Sequence, residues 1–436
     1  MKSTDVIIIG AGAAGLMAGY TLTKAGKKVT VFEARNRTGG RIHAITGNFT
    51  EPAELGAEFV HGNLPVTLGL LQEAGIIACN ADADMWMHQN GTFEKNGDFI
   101  DGQDIILDKL NNLEEDMTVY DFMQQNFPGN EFTKMRRQIT NFVSGYDTAN
   151  VKDASAFALR TEVSHEDENP QYRPQDGYTK LIGYLENICR KGGNDIIFKA
   201  IVKKIIWKHN YAEVTTNANV TYKANKVIIA LPLGVLQAPE NSKGIIQFIP
   251  PLPQYNKAFH DIGFGAVIKI LLEFNSTFWE GDAATKLAGA SLSHMGYLFT
   301  EEEIPTYWTQ APRHNAILTG WLGGPAAYAK KDTPDDIILH EALQSLGTVF
   351  TIDSTVLKNN LAAWQVVNWT AKPFTRGSYA YDKVNSPKAR KTLEQPVENT
   401  LYFAGEYLYD GPAMGTVEAA LTSGREAAAK VLKIPE

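Results

Sequence analysis

Four apolar residues, Val6 to Ile9, run directly into Gly10-Ala11-Gly12-Ala13-Ala14-Gly15, and a helical stretch from Leu16 to Ala25 follows before Gly26 stops it. No other feature of the chain constrains its fold as tightly. Strand, glycine turn and helix in that order let the backbone pass close to a pyrophosphate, which then rests on the positive end of the helix. A second apolar run, Val29 to Phe32, ends on Glu33. A carboxylate at that place can accept hydrogen bonds from a ribose. A lone G-x-G-x-x-G is a weak signal, but here a strand, a helix and an acidic strand end frame it. A dinucleotide is expected on Gly10, Gly12, Ala13, Ala14, Gly15 and Glu33.

Directly after Glu33 the chain reads Ala34-Arg35-Asn36-Arg37-Thr38-Gly39-Gly40-Arg41. A nicotinamide enzyme has no need of a second glycine pair flanked by arginines. Read for cofactor binding, the turn at Gly40 brings N–H groups near the ligand, and Arg41 offers a phosphate its fork of donors. The bland alternative is a solvated basic loop. At the far end, Leu401-Tyr402-Phe403-Ala404-Gly405-Glu406 precedes Gly415-Thr416-Val417-Glu418-Ala419-Ala420. On these motifs the chain resembles the flavin-containing amine oxidase family, which includes monoamine oxidases, polyamine oxidases and flavin-dependent histone lysine demethylases. The resemblance runs from Val6 to Ala429 and is nearest to the polyamine oxidase branch.

The resemblance implies FAD, held by Ala34, Arg35, Gly40 and Arg41 near the start and by Gly405, Glu406, Thr416 and Val417 near the end. Glu406 would meet the ribityl or phosphate region. The Val417 amide, at a helix start, would face the pyrimidine oxygen of the ring and stabilise negative charge there. Val202 looks like the residue whose backbone recognises the adenine. The implied fold is α/β with two domains. A discontinuous Rossmann-like FAD-binding domain takes residues 1–82, 176–254 and 376–436. An α+β substrate-binding domain of mixed sheet and helices takes 83–175 and 255–375. Ala200 to Val202 and Lys226 to Pro232 read as buried strands. The first insert has helical spacing at Ile105, Ile106, Leu110, Leu113, Val119, Phe122 and Met123. The second alternates strands such as Val267 to Phe274 with a helix near Asp335 to Leu346. Asp335 and Asp336 fall in that helix's first turn, after Pro334.

The 436 residues, 44% of them hydrophobic, are ample for two packed domains. No stretch approaches the ~20 apolar residues of a spanning helix, and the start of the chain lacks the basic flank and cleavage site of a signal peptide. The chain ends soon after a helix expected to finish near Val431, so the C-terminal anchor of monoamine oxidases is not expected. Cys79 and Cys189 read as two buried thiols rather than a disulfide framework. A cytoplasmic protein is expected, with no metal and no assigned oligomeric state. The net charge of −8, with acidic clusters at Glu114-Glu115-Asp116, Glu166-Asp167-Glu168 and Glu301-Glu302-Glu303, disfavours nucleic acid. Those clusters could draw cationic amines or simply be solvated faces.

Lys269 sits inside the apolar run Val267-Ile268-Lys269-Ile270-Leu271-Leu272. A charged lysine is costly to bury there. By spacing alone it shares a strand face with Val267 and Leu271, and an edge-strand lysine reaching solvent fits equally well. The resemblance makes it the lysine that is aimed, through a water, at the reactive nitrogen of the flavin, where its charge helps O2 accept electrons. By the same resemblance, Trp369 and Tyr379 are aromatics beside the flavin. Tyr379 would be one wall of the amine cage, with Thr416 where monoamine oxidases carry a second tyrosine. Ser378 stands where those enzymes carry the cysteine that bonds to flavin, so the FAD is expected to be non-covalent. Glu54-Leu55-Gly56-Ala57-Glu58-Phe59-Val60-His61-Gly62 is similar to the segment beside the flavin in polyamine oxidases. It places Gly56, Ala57 and Glu58 at the cofactor and His61 on the substrate side. Phe59 stands where L-amino-acid oxidases carry a carboxylate-binding arginine. The expected reaction is oxidation of a (poly)amine C–N bond by hydride transfer, with O2 as acceptor and H2O2 as product. Alternatives are oxidation of another secondary or cyclic amine or amino acid, or a flavin-bearing interaction protein.

Overall fold

The computed structural model describes residues 2–95, 100–165 and 170–433. The acidic run Glu166-Asp167-Glu168 lies outside the described residues. The strand Lys2–Ile9 is the centre of the larger sheet. It pairs in parallel with Val29–Phe32 on one side and with Thr221–Ile229 on the other. The full order is Asp195–Ile197, Val29–Phe32, Lys2–Ile9, Thr221–Ile229, Tyr211–Thr216, Val202–Lys208 and Gln247–Ile249. Leu401–Phe403 joins alongside the end of Thr221–Ile229. Three separate stretches of chain thus build one sheet. Both faces are covered, which is why its inner strands read as unbroken apolar runs. Val6 and Ile8 pack under the helices Ala13–Lys24, Tyr178–Lys191 and Val417–Leu432, while Ile7 and Ile9 enter a second core with Val227, Ile229 and Phe403. Gly15 makes the first of these layers possible. A Cβ on it would fall 1.9 Å from the Gly10 carbonyl oxygen.

The second sheet runs Leu361–Asn368, Val267–Phe274, Ile317–Gly323, Thr306–Trp308, Met295–Thr300, Asp84–Gln89 and Thr92–Lys95. Helices Gln103–Asn111, Val119–Asn126, Thr133–Gly145 and Ala156–His165 form a separate core around Ile106, Leu110, Phe122, Ile139 and Val143. The architecture is the α/β fold expected from the sequence. Among the described residues no helix is long and apolar enough to cross a membrane.

Several local expectations need correction. Val267–Phe274 is an interior strand, flanked on both sides and buried at all eight positions, so Lys269 is not an edge lysine reaching solvent. The strand expected from Ala200 begins only at Val202. Ala200 donates its N–H to the Glu33 carbonyl and Ile201 bonds with Asn217, so both belong to the connection. The first insert opens with a hairpin, Asp84–Gln89 and Thr92–Lys95, before its helices. Thr92 is the hairpin's only β-branched residue, so little in its sequence marks a strand. Gln171–Pro174, near the end of that insert, pairs with Val60–His61 and Ala78–Asn80. The helix after Pro334 extends to Phe350, because Val349 and Phe350 continue its buried stripe; Asp335 and Asp336 stand in its first turn after the N-cap Pro334, as expected. Both cysteines are free, but Cys79 is only half-buried, whereas Cys189 is buried. Burial pushes the Cys189 thiol up to about 12.

Candidate active site

A single cavity of about 1720 Å³ opens between the two sheets. A drug-sized ligand pocket is about 300–1,000 Å³, so this space admits a dinucleotide and a second molecule together. Its lining includes Gly10, Gly12, Ala13, Ala14, Glu33, Ala34, Arg35, Gly40, Arg41, Gly56, Ala57, Glu58, His61, Val202, Trp369, Ser378, Tyr379, Gly405, Glu406, Thr416 and Val417. Two residues named from the sequence stand behind the wall instead. Gly15 is consumed by helix packing, and Lys269 lies beneath Gly56 and Glu58.

The dinucleotide half is built by the turn after Lys2–Ile9. Gly12 caps the helix Ala13–Lys24 without any side-chain hydrogen bond, so its first N–H groups face the cavity. Glu33 is buried, its Oε2 accepting the Ala11 N–H at 2.9 Å and its Oε1 the Arg35 N–H at 2.8 Å. Each oxygen keeps a lone pair for a ribose hydroxyl. Free helix N–H groups beside a buried acceptor fit a nucleotide pyrophosphate and its sugar. Arg37, unassigned from the sequence, donates to the carbonyls of Thr38, Gly40 and Ile42 and so shapes the second glycine turn. Burial lowers its pKa to about 10, which leaves it charged.

Arg41 and Glu406, both at the cavity lining, are also paired with each other. Arg41 donates through Nη1 to the Ser378 carbonyl and to Glu406 Oε1 at 3.0 Å, and Glu406 Oε2 accepts the Ala380 N–H at 3.1 Å. Buried opposite charges find each other, and the pair ties the two ends of the chain together at the cavity. Thr416 is redirected. Its Oγ1 accepts the Ala419 N–H at 3.3 Å and donates to the Ala413 carbonyl at 2.5 Å, so the hydroxyl caps the helix Val417–Leu432. Ser378 shares a hydrogen bond of 2.5 Å with Thr148 Oγ1.

The ring half is framed by residues 53–62. Gly56 permits the tightest approach, since a Cβ there would sit 1.6 Å from the Arg41 carbonyl oxygen and 3.5 Å from the Trp369 ring. Trp369 donates its indole N–H to the Leu55 carbonyl at 2.8 Å. Lys269 is 1% exposed. Its Nζ donates to the Gly56 carbonyl at 3.1 Å and to Glu58 Oε2 at 2.7 Å. Glu58 also accepts from Trp308 Nε1 at 3.0 Å and, through Oε1, from Arg173 Nη1 at 2.7 Å. Burial alone would push the Glu58 carboxyl up, but Lys269 and Arg173 overcome that and bring it down to about 2. Arg173 and Trp308 were not foreseen. Each sits in a short strand whose sequence carries no motif, and only the fold brings them beside residue 58.

Tyr379 lies with its ring against Gly415 and donates its hydroxyl to the Tyr146 carbonyl. Burial first, then the Asp147 charge, raises its pKa well above the usual phenol value, so it stays neutral. The accessible surface of His61 faces the cavity. Burial lowers its pKa, with a hydrogen bond to Gln171 working against that. Phe59, Tyr297, Trp308 and Trp321 also line the chamber, with Phe59 5.8 Å from Tyr297 and 6.1 Å from Trp308 between ring centroids. Glu301, Glu302 and Glu303 are at its lining too, Glu301 paired with Arg137 and Glu303 with Lys330.

The family described as flavin containing amine oxidoreductase matches residues 13–432. The chain is 27% identical over 463 residues to lysine-specific histone demethylase 2 of Homo sapiens, covering 98% of this chain and 53% of that protein. It therefore spans about half the length of that relative. It is 27% identical over 451 residues to polyamine oxidase 4 of Oryza sativa subsp. japonica, covering 97% and 88%. A solved double mutant of putrescine oxidase shares its fold at a TM-score of 0.81, with 20% identity over 99% of this chain and 100% of that one. With the family spanning almost the whole chain and a cavity that offers a nucleotide cradle, the chain belongs to the flavin containing amine oxidoreductase family.

Proposed function

We propose that this protein oxidises a C–N bond of a polyamine or similar aliphatic amine, giving an imine that water splits to an aldehyde and a shortened amine or ammonia. FAD, when bound, would supply the two-electron acceptor for a hydride from the α-carbon, with O2 taking the electron pair onward as H2O2. Gly10, Gly12, Ala13, Ala14 and Glu33 would hold its nucleotide end, and Gly56, Trp369 and the Val417 amide its ring. The neutral Tyr379 ring offers the substrate nitrogen an electron-rich face. Its tether to Tyr146 fixes that face in one orientation. His61, kept below its ordinary pKa, presents an uncharged ring nitrogen to an amine. The aromatic walls exclude water from the reacting carbon.

One observation carries the reading toward an amine rather than an amino acid. Every arginine at or beside the substrate half is already committed: Arg173 to Glu58, Arg137 to Glu301 and Arg390 to Asp382. A substrate carboxylate would have to compete for one of these pairs, whereas a cationic amine meets aromatic faces and the Glu302 carboxylate. The test is peroxide release from FAD-loaded protein with putrescine, spermidine, spermine, N-acetylated polyamines, aromatic amines and amino acids. Peroxide with one or more of the polyamines, and none with the amino acids, is expected. A yellow protein that makes none with any amine would overturn the proposal.

A further inference from the structure

Glu58 is a buried carboxylate held between two cations, and a role in holding the cofactor leaves that unexplained. It is 6% exposed and accepts from three side chains drawn from three separate elements: Lys269, Arg173 and Trp308. Arg173 is locked further by Gln310 Oε1 at 3.0 Å and the Thr309 carbonyl at 2.9 Å, and its guanidinium lies 4.3 Å from the Phe59 ring centroid. It cannot swing away from Glu58. The carboxylate is therefore pinned from one side by a fixed cation and presents its other oxygen to Lys269. On the Lys269 side, the facing groups are the Glu58 carboxylate, the Gly56 carbonyl, the Trp308 ring at 5.5 Å, and the nearby carboxyl of Glu54. Two of the three ammonium donors are used, which leaves one.

We propose that Glu58 is the positioning residue for Lys269: bridging it to Arg173, Glu58 holds the lysine ammonium charged and in place and so sets the positive charge felt at the flavin ring. This rests on the proposed function, which puts Gly56 at the flavin ring, with Lys269 directly behind Gly56. A buried ammonium without a counter-ion sheds its proton, and a lysine without this anchor would also face Arg173 with no anion between them. The carboxylate of Glu58 prevents both. The three groups together carry one net positive charge, so removing the anion while both cations stay charged makes the site more positive.

The experiment is a double-mutant cycle on FAD-loaded wild type, Glu58→Gln, Lys269→Met and the combined variant. Two readouts are taken without any amine: the midpoint potential of the bound flavin, and reoxidation by O2 after photoreduction, each across about pH 6 to 9. In wild type the reoxidation rate is expected to change little over this range. In Glu58→Gln it should fall by about tenfold per pH unit once the lysine begins to lose its proton, and the potential should rise at the acid end. In the Lys269→Met background the change of charge at residue 58 still shifts the potential, but Glu58→Gln should add no pH dependence to the reoxidation rate. Glu58→Asp keeps the charge and should restore a flat profile. A Glu58→Gln protein with the wild-type profile and potential overturns the proposal. So does a pH-dependent fall in rate that persists without Lys269, or an aspartate that behaves like glutamine. Because no amine enters either readout, a failure of the substrate reading and a failure of this inference are told apart.

Discussion

Replacing Glu54 with glutamine should make the folded protein less sensitive to alkali. Glu54 ends a short strand behind the cavity and is 4% exposed, and among the described residues neither carboxyl oxygen has a well-formed hydrogen bond. It presses so closely on Gly177 that a Cβ there would lie 2.1 Å from its Oε1. Burial first, opposed by the charge of Lys269 and reinforced by that of Glu58, pushes its pKa from 4.5 to about 7. A carboxyl raised on folding holds its proton in the native state while the unfolded chain has already released it. Stability therefore falls as pH climbs from the unfolded value to the folded one, and below that window the group is neutral in both states. At about 1.36 kcal/mol per pH unit, the gap between 4.5 and about 7 amounts to about 3 kcal/mol. Glutamine is neutral at every pH and removes this loss. With unfolding entropy of roughly 2.1 cal/mol/K per residue over 436 residues, the difference is roughly 3 °C in Tm. The assay is the release of flavin fluorescence on heating wild type and Glu54→Gln at about pH 5 and pH 8. The gap between the two proteins should widen by that amount in favour of the variant at the higher pH. If both lose stability in parallel, Glu54 is not the buried acid described here.

Lys269→Met should retain FAD yet slow reoxidation of the reduced enzyme by about tenfold or more, as expected for loss of a fixed charge beside a developing anion; stopped-flow traces at the wild-type rate would remove the lysine from the chemistry. Acid precipitation should leave FAD in the supernatant, because the Ser378 hydroxyl, bonded to Thr148, can form no thioether; a yellow pellet would contradict non-covalent binding. Efficiency with an alkylamine should rise toward alkaline pH, since removing its proton at pH 7 costs about 4 kcal/mol for a pKa near 10. A flat kcat/KM between about pH 6 and 10 would show that the charged form is the one consumed.

Legibility in the sequence was uneven, for physical reasons. Val6 to Gly15 and Val29 to Glu33 announce themselves because strand, turn and helix start are short-range, set by backbone freedom and apolar period. The hairpin from Asp84 does not, because its residues carry no strong alternation and Thr92 alone is β-branched. Thr416 stands on a recognisable motif, yet its hydroxyl is spent on capping a helix, which no motif states. Arg41 and Glu406 likewise stand in recognisable motifs, but their mutual pairing is visible only when the ends of the chain meet.

What the sequence determined by itself was the nucleotide-binding unit, the membership of a flavin family and the position of one lysine in an apolar strand. Each of these is encoded within a few consecutive residues. What only the tertiary structure decided was the electrostatic state of the site. Glu58, Arg173, Lys269 and Trp308 come from four distant stretches, and sheet register and strand pairing place them in one buried cluster. Charges in a low-dielectric interior act on whatever is packed against them, and that neighbour is chosen by the fold.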